Sequence, residues 1–90
     1  MKTGIEHIIE ERLKQITKYN HTASNDQMYK NQELLKAALA YLMEAICPGD
    51  EKNVQIWPWH PDSFKPEGYI ETLKKVGAFV AAEIDRVQIS

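Results

Sequence analysis

The sequence predicts one all-α domain over residues 1–90, a three-helix bundle-like fold with a long ordered Trp/Pro-rich loop between the second and third helices. Apolar residues recur at intervals of three and four along three segments, which is the period of an amphipathic helix. All four prolines lie between residues 48 and 66, so they leave these three segments unbroken. A chain of 90 residues suffices for one modest core.

The first helix is predicted over residues 3–19. Thr3 followed by Glu6 has the spacing of a capping box, in which each side chain bonds the backbone N–H of the other residue. The apolar stripe of this helix consists of Ile5, Ile8, Ile9, Leu13 and Ile16. We expect this stripe to face the core.

The second helix is predicted to follow a turn at residues 20–24 and to end at Pro48 and Gly49. Ser24 and Gln27 repeat the capping-box spacing at its start. Its apolar surface contains Met28, Leu34, Leu35, Ala38, Leu39, Leu42 and Ile46. Additional alanines widen this surface, so we expect the second helix to be the most buried of the three.

The third helix is predicted to start near Pro66, a residue favoured in the first turn of a helix. Its apolar stripe contains Ile70, Leu73, Gly77, Val80, Ile84 and Val87. Gly77 is expected to admit a neighbouring helix at close range. Phe79 lies off the stripe with Ala78 and Ala82, which indicates contact with another helix, with a second subunit, or with a tryptophan of the loop.

Arg12 falls inside the apolar stripe of the first helix, with Gln15 at its edge. An unpaired guanidinium there would be costly, so we expect a carboxylate to meet it. Glu83, beside the third stripe, is the expected partner, with Glu33 and Asp26 as alternatives. Such a pair either fixes helix register, which is the commoner case, or belongs to a site for a carboxylate or phosphate ligand.

The loop carries the segment Trp57-Pro58-Trp59-His60-Pro61. Each proline favours an extended backbone in the residue before it, so we expect the two tryptophans to project to opposite sides, one over the core and one outward. Each ring can bury about 150–250 Å², which favours a role in covering the core. The alternative is a stacking platform for a base or for a partner's side chain.

Acidic residues on all three helices raise the alternative of a divalent-metal-dependent nucleotide pyrophosphohydrolase. Helical enzymes of that type place acids in pairs three residues apart, but here Lys36 follows Glu33 and Arg86 follows Glu83 at that spacing. Solvated helix faces explain the acids more simply. The three histidines are dispersed and no Gly-rich phosphate loop is present. We therefore expect no metal site and no cofactor, and we favour a binding role over an enzymatic one.

Charge, hydropathy and cysteine content narrow the range of expected partners and locations. Eleven basic against thirteen acidic side chains give a net charge of −2 without a basic run, so nucleic acid is not an expected partner. No apolar run approaches the roughly 18–20 residues that span a bilayer, so no membrane association is expected. The single Cys47 cannot form an internal disulfide, and no secretory signal pattern is evident, so the cytoplasm is the expected location.

Several short motifs are distributed along nearly the whole chain. They are Glu11-Arg12 with Gln15, Glu33-Leu34 with Ala37-Ala38 and Tyr41, Trp57-Pro58-Trp59, Phe64-Lys65-Pro66, and Ala82-Glu83-Ile84-Asp85-Arg86. In these motifs the chain resembles a group of small uncharacterised proteins common in bacteriophage and prophage genomes. Members of that group often carry a second acidic residue where Asn25 stands and a Gly-Trp pair where Tyr19-Asn20 stands. The resemblance implies no particular activity.

The expected function is that of a small accessory binding protein, which captures a small anionic or nucleotide-like ligand or a protein partner. Polar residues at motif positions and the two tryptophans are the candidates for this role. The expected ligand-binding residues are Arg12, Gln15, Asp26, Glu33, Trp57, Trp59, Glu83 and Arg86. Self-association is a further expectation, and a purely structural oligomerisation unit is the remaining alternative.

Overall fold

A computed structural model describes residues 1–89, so that Ser90, the last residue of the predicted domain, lies outside the described range. The four α-helices are α1 (Gly4–Thr17), α2 (Glu33–Ile46), α3 (Glu51–Ile56) and α4 (Tyr69–Gln88), with short 3₁₀ helices at Asn25–Met28 and Pro61–Ser63. Residues 1–89 contain no strand. The described chain is therefore all-α, as predicted.

The start of α1 confirms the predicted capping box. The Thr3 hydroxyl accepts a hydrogen bond from the Glu6 backbone N–H at 3.2 Å, and the Glu6 carboxylate accepts one from the Thr3 N–H at 2.9 Å. Both bonds satisfy donors that the first helical turn leaves unpaired. The helix ends at Thr17, and the N–H of Lys18 closes its last turn on the Lys14 carbonyl at 2.8 Å.

The predicted start of the second helix is wrong. A 3₁₀ turn and a short linker separate Ser24 from the first residue of the helix. Ser24 makes no side-chain cap, and the segment after it forms only a 3₁₀ turn. Helix α2 begins at Glu33, directly after Gln32, whose φ of 65° is left-handed and redirects the chain. Met28 consequently lies outside α2 and is exposed.

The predicted loop between the long helices contains a helix of its own. Asp50 starts α3 because its carboxylate accepts a hydrogen bond from the Lys52 N–H at 2.9 Å. The buried Asn53 then donates its side-chain amide to Glu44 Oε1 at 2.9 Å and to the Cys47 carbonyl at 2.8 Å. These two bonds fix α3 against the end of α2.

Helix α4 lies between α1 and α2 and packs against both. The approach of α1 depends on Gly77, since a Cβ built there would lie 2.6 Å from Ile8 Cδ1 and 2.7 Å from Ile8 Cγ1. The sequence-based expectation of close helix contact at Gly77 is confirmed. The three long helices thus form a layer, and the molecule measures 35 × 35 × 19 Å.

The prediction that the main apolar stripes face the core is wrong for most of their members. In α1 the buried side chains are those of Glu11, Arg12 and Gln15, whereas Ile5 and Leu13 are 73% and 55% exposed. The core instead consists of Leu34, Ala37, Ala38, Ala40, Tyr41, Trp57, Phe79 and Ala82. The helices turn their alanine and aromatic sides inward because the rings of α2, α4 and the loop pack against one another there.

The described helices include none with the length and apolarity needed to cross a membrane.

Candidate functional site

An aromatic cluster joins the loop to the layer of long helices. Trp57 and Trp59 meet edge to face, with ring centroids 5.1 Å apart, and they lie 6.0 and 5.9 Å from the ring of Phe79. The expectation that the two tryptophans project to opposite sides is therefore wrong. Of the alternatives for the Phe79 strip, contact with another helix, through Tyr41 of α2, and coverage by the loop tryptophans are both confirmed. The indole N–H of Trp57 donates to Ser63 Oγ at 2.9 Å, which anchors the loop over the core.

A cavity of about 580 Å³ opens beside this cluster, and we call it the aromatic cavity. Its rings are those of Tyr19, His21, Tyr29, Tyr41, Trp57, Trp59 and Phe79. Its other lining residues are Glu11, Gln15, Ser63, Lys65 and Lys75. Ligand sites in proteins are usually concave and mostly apolar, with a few polar groups that orient the ligand, and this cavity has that composition.

Glu11 is the acidic residue of the aromatic cavity. Its side chain is only 4% exposed, and Oε1 accepts no hydrogen bond although it is buried. The nearest ammonium groups are those of Lys14, 3.5 Å from Oε1, and Lys75, 3.7 Å from Oε2. A buried carboxylate oxygen with unused acceptor capacity is costly, and the two ammonium groups offset part of this cost.

Lys75 places a positive charge at the wall of the cavity. Its ammonium lies 3.1 Å from Glu67 Oε1 and 5.9 Å from the centre of the Tyr41 ring. The hydrogen bond from Lys75 holds the pKa of the Glu67 carboxyl below its usual range. The charge of Lys75 is therefore shared between Glu67 at the surface and Glu11 in the cavity.

His21 enters the cavity from the segment between α1 and α2. Its ring lies against Trp59, with centroids 5.8 Å apart, and against Tyr29 at 6.3 Å. Nδ1 lies 3.0 Å from Oδ1 of Asp26, a residue that is 1% exposed. This contact orients the imidazole and leaves Nε2 as the ring nitrogen for a ligand. The other oxygen of Asp26, Oδ2, is buried without a hydrogen bond.

Tyr41 closes the floor of the cavity. Its hydroxyl accepts a hydrogen bond from the backbone N–H of Lys65 at 3.0 Å, and its ring stacks nearly parallel to Phe79 with centroids 6.2 Å apart. Burial raises the pKa of Tyr41, against the smaller opposite effect of the Lys65 hydrogen bond. The neutral phenol is thus part of the packed structure.

Arg12 pairs with Asp85, and the expectation of a pair with Glu83 is wrong. Its guanidinium donates from Nε and Nη2 to Asp85 Oδ2 at 3.3 and 2.9 Å. Nη1 donates to the His21 carbonyl at 2.9 Å and to Gln15 Oε1 at 3.4 Å. The alternatives Glu33 and Asp26 are not partners either. With these bonds made, Arg12 holds the His21 segment against α1 and α4, which corresponds to the structural alternative.

Glu83 instead pairs with Arg86 one turn along α4. Arg86 Nε and Nη2 donate to the two carboxylate oxygens of Glu83 at 2.6 and 3.1 Å. These hydrogen bonds raise the pKa of Arg86; desolvation opposes this effect, while the charges of Glu33 and Asp26 add to it. Glu33 also accepts a hydrogen bond from the Asn31 N–H at 2.8 Å, which ties the start of α2.

The predicted binding residues therefore divide into three groups. Gln15 lines the aromatic cavity together with Trp57 and Trp59. Arg12 and Asp26 form a supporting network around His21. The remaining three predicted residues are Glu33, Glu83 and Arg86, which form a charged group between α2 and α4.

Several cavity residues were not predicted as binding residues from sequence: Glu11, His21, Tyr29, Tyr41 and Lys75. The available signal was the position of Tyr41 and Phe79 off the main apolar stripes of their helices. Two aromatic residues on such faces indicate a second buried side. Glu11 carried no signal of its own, because a glutamate beside an apolar stripe is normally solvated.

Within residues 1–89, no group of three or more histidine, cysteine, aspartate or glutamate side chains is arranged to hold a metal ion. No protein-family model, curated protein or solved structure matches the chain.

Proposed function

We propose that this chain is a binding protein for a small nucleotide-like ligand, whose planar base enters the aromatic cavity. The observation that carries the proposal is a nearly buried carboxylate, Glu11, in the wall of a cavity lined mainly by aromatic rings. Burying a charge is costly, and the ammonium groups of Lys14 and Lys75, 3.5 and 3.7 Å away, offset only part of that cost.

The aromatic rings supply the surface for stacking. Tyr29 and Trp59 meet at 61° with centroids 5.3 Å apart, and the His21 ring lies beside both. Stacking of one base on one aromatic side chain contributes about 1–3 kcal/mol. This part of the cavity supports binding of a planar heteroaromatic group without specifying which one.

Glu11 supplies the selectivity. An ionised carboxylate only accepts hydrogen bonds, so it suits a base edge with adjacent N–H donors. Guanine offers such an edge in N1–H and the exocyclic N2 amino group, whereas adenine and thymine each offer a single donor beside an acceptor. Oε1 of Glu11 is buried without a hydrogen-bond partner, so a base edge would reach it only after rotation of the side chain. We therefore infer a preference for guanine nucleotides.

The anionic part of the ligand would lie toward Lys65 and Lys75. Lys65 is exposed at the rim of the cavity, and the side chain of Lys75 is 13% exposed in its wall. Each ammonium can donate to phosphate oxygens. Arg12, by contrast, is engaged by Asp85 and the His21 carbonyl, so it supports the site from behind.

The test is titration of the protein with guanosine, adenosine and cytidine mono- and triphosphates, with and without Mg²⁺, followed by calorimetry and by tryptophan fluorescence. Both tryptophans of the chain lie at the cavity, so binding is expected to change their emission. Assay of the same mixtures for released phosphate or pyrophosphate separates binding from hydrolysis. Absence of binding by every nucleotide at millimolar concentration would overturn the proposal.

Two neighbouring glutamates provide matched variants. Glu11→Gln is expected to weaken guanine nucleotide binding about tenfold or more, since a hydrogen bond to a charged group contributes about 1.5–3 kcal/mol. Glu10→Gln, at an exposed position on the same helix, is the control and should leave affinity unchanged. If Glu11→Gln binds guanine nucleotides as tightly as the wild type does, and adenine nucleotides equally tightly as well, Glu11 is not part of the site.

A further inference from the structure

The three long helices leave a broad apolar surface uncovered, and we call it the bare face. Its large aliphatic side chains are between 37% and 73% exposed. The bare face consists of Ile5, Ile9 and Leu13 of α1, Leu35, Leu39, Leu42 and Ile46 of α2, and Leu73, Val80, Ile84 and Val87 of α4. These residues are most of the stripes that the sequence pattern assigns to a protein interior.

Helical geometry places these side chains on one side of the layer. In α4, Val80 follows the buried Phe79 by one residue, which is a rotation of about 100° away from the aromatic cluster. In α2, Leu42 follows the buried Tyr41 in the same way. Because α4 lies between α1 and α2, the exposed stripes run side by side, away from the loop tryptophans.

The buried core on the other side is small for a chain of this length. Leu34 is its one aliphatic residue larger than alanine among the described core residues, and the rest are alanines and aromatic rings. The molecule is also thin, 19 Å across its shortest dimension. Domains are built from two packed layers of secondary structure around one core, and the bare face lacks its second layer.

We propose that the bare face is covered by the same face of a second copy of this chain. Eleven large aliphatic side chains from three adjacent helices are 37–73% exposed, so their combined exposed area is comparable with the roughly 800 Å² per partner that a standard interface buries. The largest apolar patch on a typical monomer is only about 300–600 Å². The contact surface of the partner must also be flat and uncharged at its centre. The bare face of a second copy meets both conditions in an isologous two-fold contact, in which both copies use the same residues.

In the resulting dimer the bare faces form a central aliphatic core between two helical layers. The two aromatic cavities lie on the outer sides, so ligand binding and pairing use different residues. The dimer is therefore independent of the proposed nucleotide site, and failure of one proposal leaves the other intact.

The experiment is light scattering coupled to size exclusion on the full chain. A mass near twice 10.4 kDa is expected for the wild type. Val80→Glu and Leu39→Glu each place a carboxylate in the bare face of one long helix, and each is expected to yield monomer with a retained helical circular dichroism signal. Gln55→Glu adds the same charge at an exposed position of α3 and should remain a dimer.

A second measurement is independent of whether the variants fold. The wild-type Tm is expected to rise with protein concentration over a hundredfold range, because folding and association are coupled in a dimer. A wild-type mass of 10.4 kDa with a constant Tm overturns the proposal. So does a multimer whose mass is unchanged in both glutamate variants. A monomer that pellets with anionic phospholipid vesicles would assign the bare face to a lipid surface instead.

Discussion

The guanidinium of Arg12 on α1 and the carboxylate of Asp85 on α4 form a two-bond pair, with Nε and Nη2 both donating to Oδ2 at 3.3 and 2.9 Å. Arg12 is nearly buried, whereas the Asp85 side chain is 46% exposed. The pair therefore joins α1 to α4. Since Nη1 also donates to the His21 carbonyl, the same guanidinium fixes the segment that carries an imidazole into the aromatic cavity.

This arrangement predicts that Asp85→Leu and Arg12→Met destabilise the protein less together than the sum of their separate effects. Asp85→Leu leaves Arg12 with its charge and no counter-ion, and it is expected to lower the free energy of unfolding by about 1–3 kcal/mol. Arg12→Met with Asp85→Leu removes both charges and should be less destabilised than the sum of the single variants. Urea denaturation of the four proteins of this cycle measures the coupling. Strict additivity would show that the two side chains do not interact.

The sequence pattern predicted the helices better than their orientation. The capping box at Thr3 and the close approach at Gly77 were readable because each depends on local geometry. The stripes of α1, α2 and α4 were assigned to the core, yet most of their members are exposed in the single chain. Periodicity identifies an apolar side of a helix but not whether the chain itself or a second copy covers that side.

Site residues were predictable from the sequence only where a polar or charged residue interrupted an apolar pattern. Arg12 stood out because a charge inside an apolar stripe needs a partner, and it is indeed paired. Its partner could not be identified, because Glu83 and Asp85 both border the α4 stripe and their distances depend on helix rotation. His21 belongs to the site through its contacts with Trp59 and Asp26, both distant from the α1 pattern.

The close approach of Gly77 to Ile8 predicts that substitutions at these two positions have coupled effects on stability. Gly77→Ala is expected to destabilise the fold by about 1–3 kcal/mol, since the added Cβ meets Ile8 Cγ1 at 2.7 Å and Cδ1 at 2.6 Å. In an Ile8→Ala background the clash is absent, and the same change should stabilise by up to about 1 kcal/mol through helix propensity. Thermal denaturation of the four proteins tests the sign change. Destabilisation of the same size in both backgrounds would show that Ile8 is not the obstacle.

Tyr41 predicts a loss of stability in alkaline solution. Burial raises the pKa of its phenol in the folded protein. Above the ordinary tyrosine value of about 10, the unfolded chain therefore releases this proton while the folded chain still holds it. The contribution of the neutral phenol is present below pH about 10 and is lost as the pH rises toward the raised pKa.

The measurement for Tyr41 is the guanidinium chloride midpoint between pH 8 and pH 11. The wild-type midpoint is expected to fall more steeply above pH 10 than that of Tyr41→Phe. Tyr69→Phe, at an exposed tyrosine, is the control and should follow the wild type. Parallel pH profiles for wild type and Tyr41→Phe would show that the phenol ionises equally in both states.

The hydrogen bonds of Asn53 predict that Asn53→Ala and Asn53→Asp destabilise the protein to different extents. Its amide nitrogen donates to Glu44 Oε1 and to the Cys47 carbonyl, while the second carboxylate oxygen of Glu44 accepts from the Gly49 N–H at 2.9 Å. Asn53→Ala leaves two acceptors without their donor and is expected to cost about 1–3 kcal/mol. Asn53→Asp is expected to cost more at neutral pH, because its carboxylate adds repulsion from Glu44. Glu44→Gln removes one of the two charges, so the difference between the two variants should shrink or reverse in a Glu44→Gln background. Chemical denaturation in both backgrounds provides the comparison, and a variant order that Glu44→Gln leaves unchanged would exclude charge repulsion as its cause.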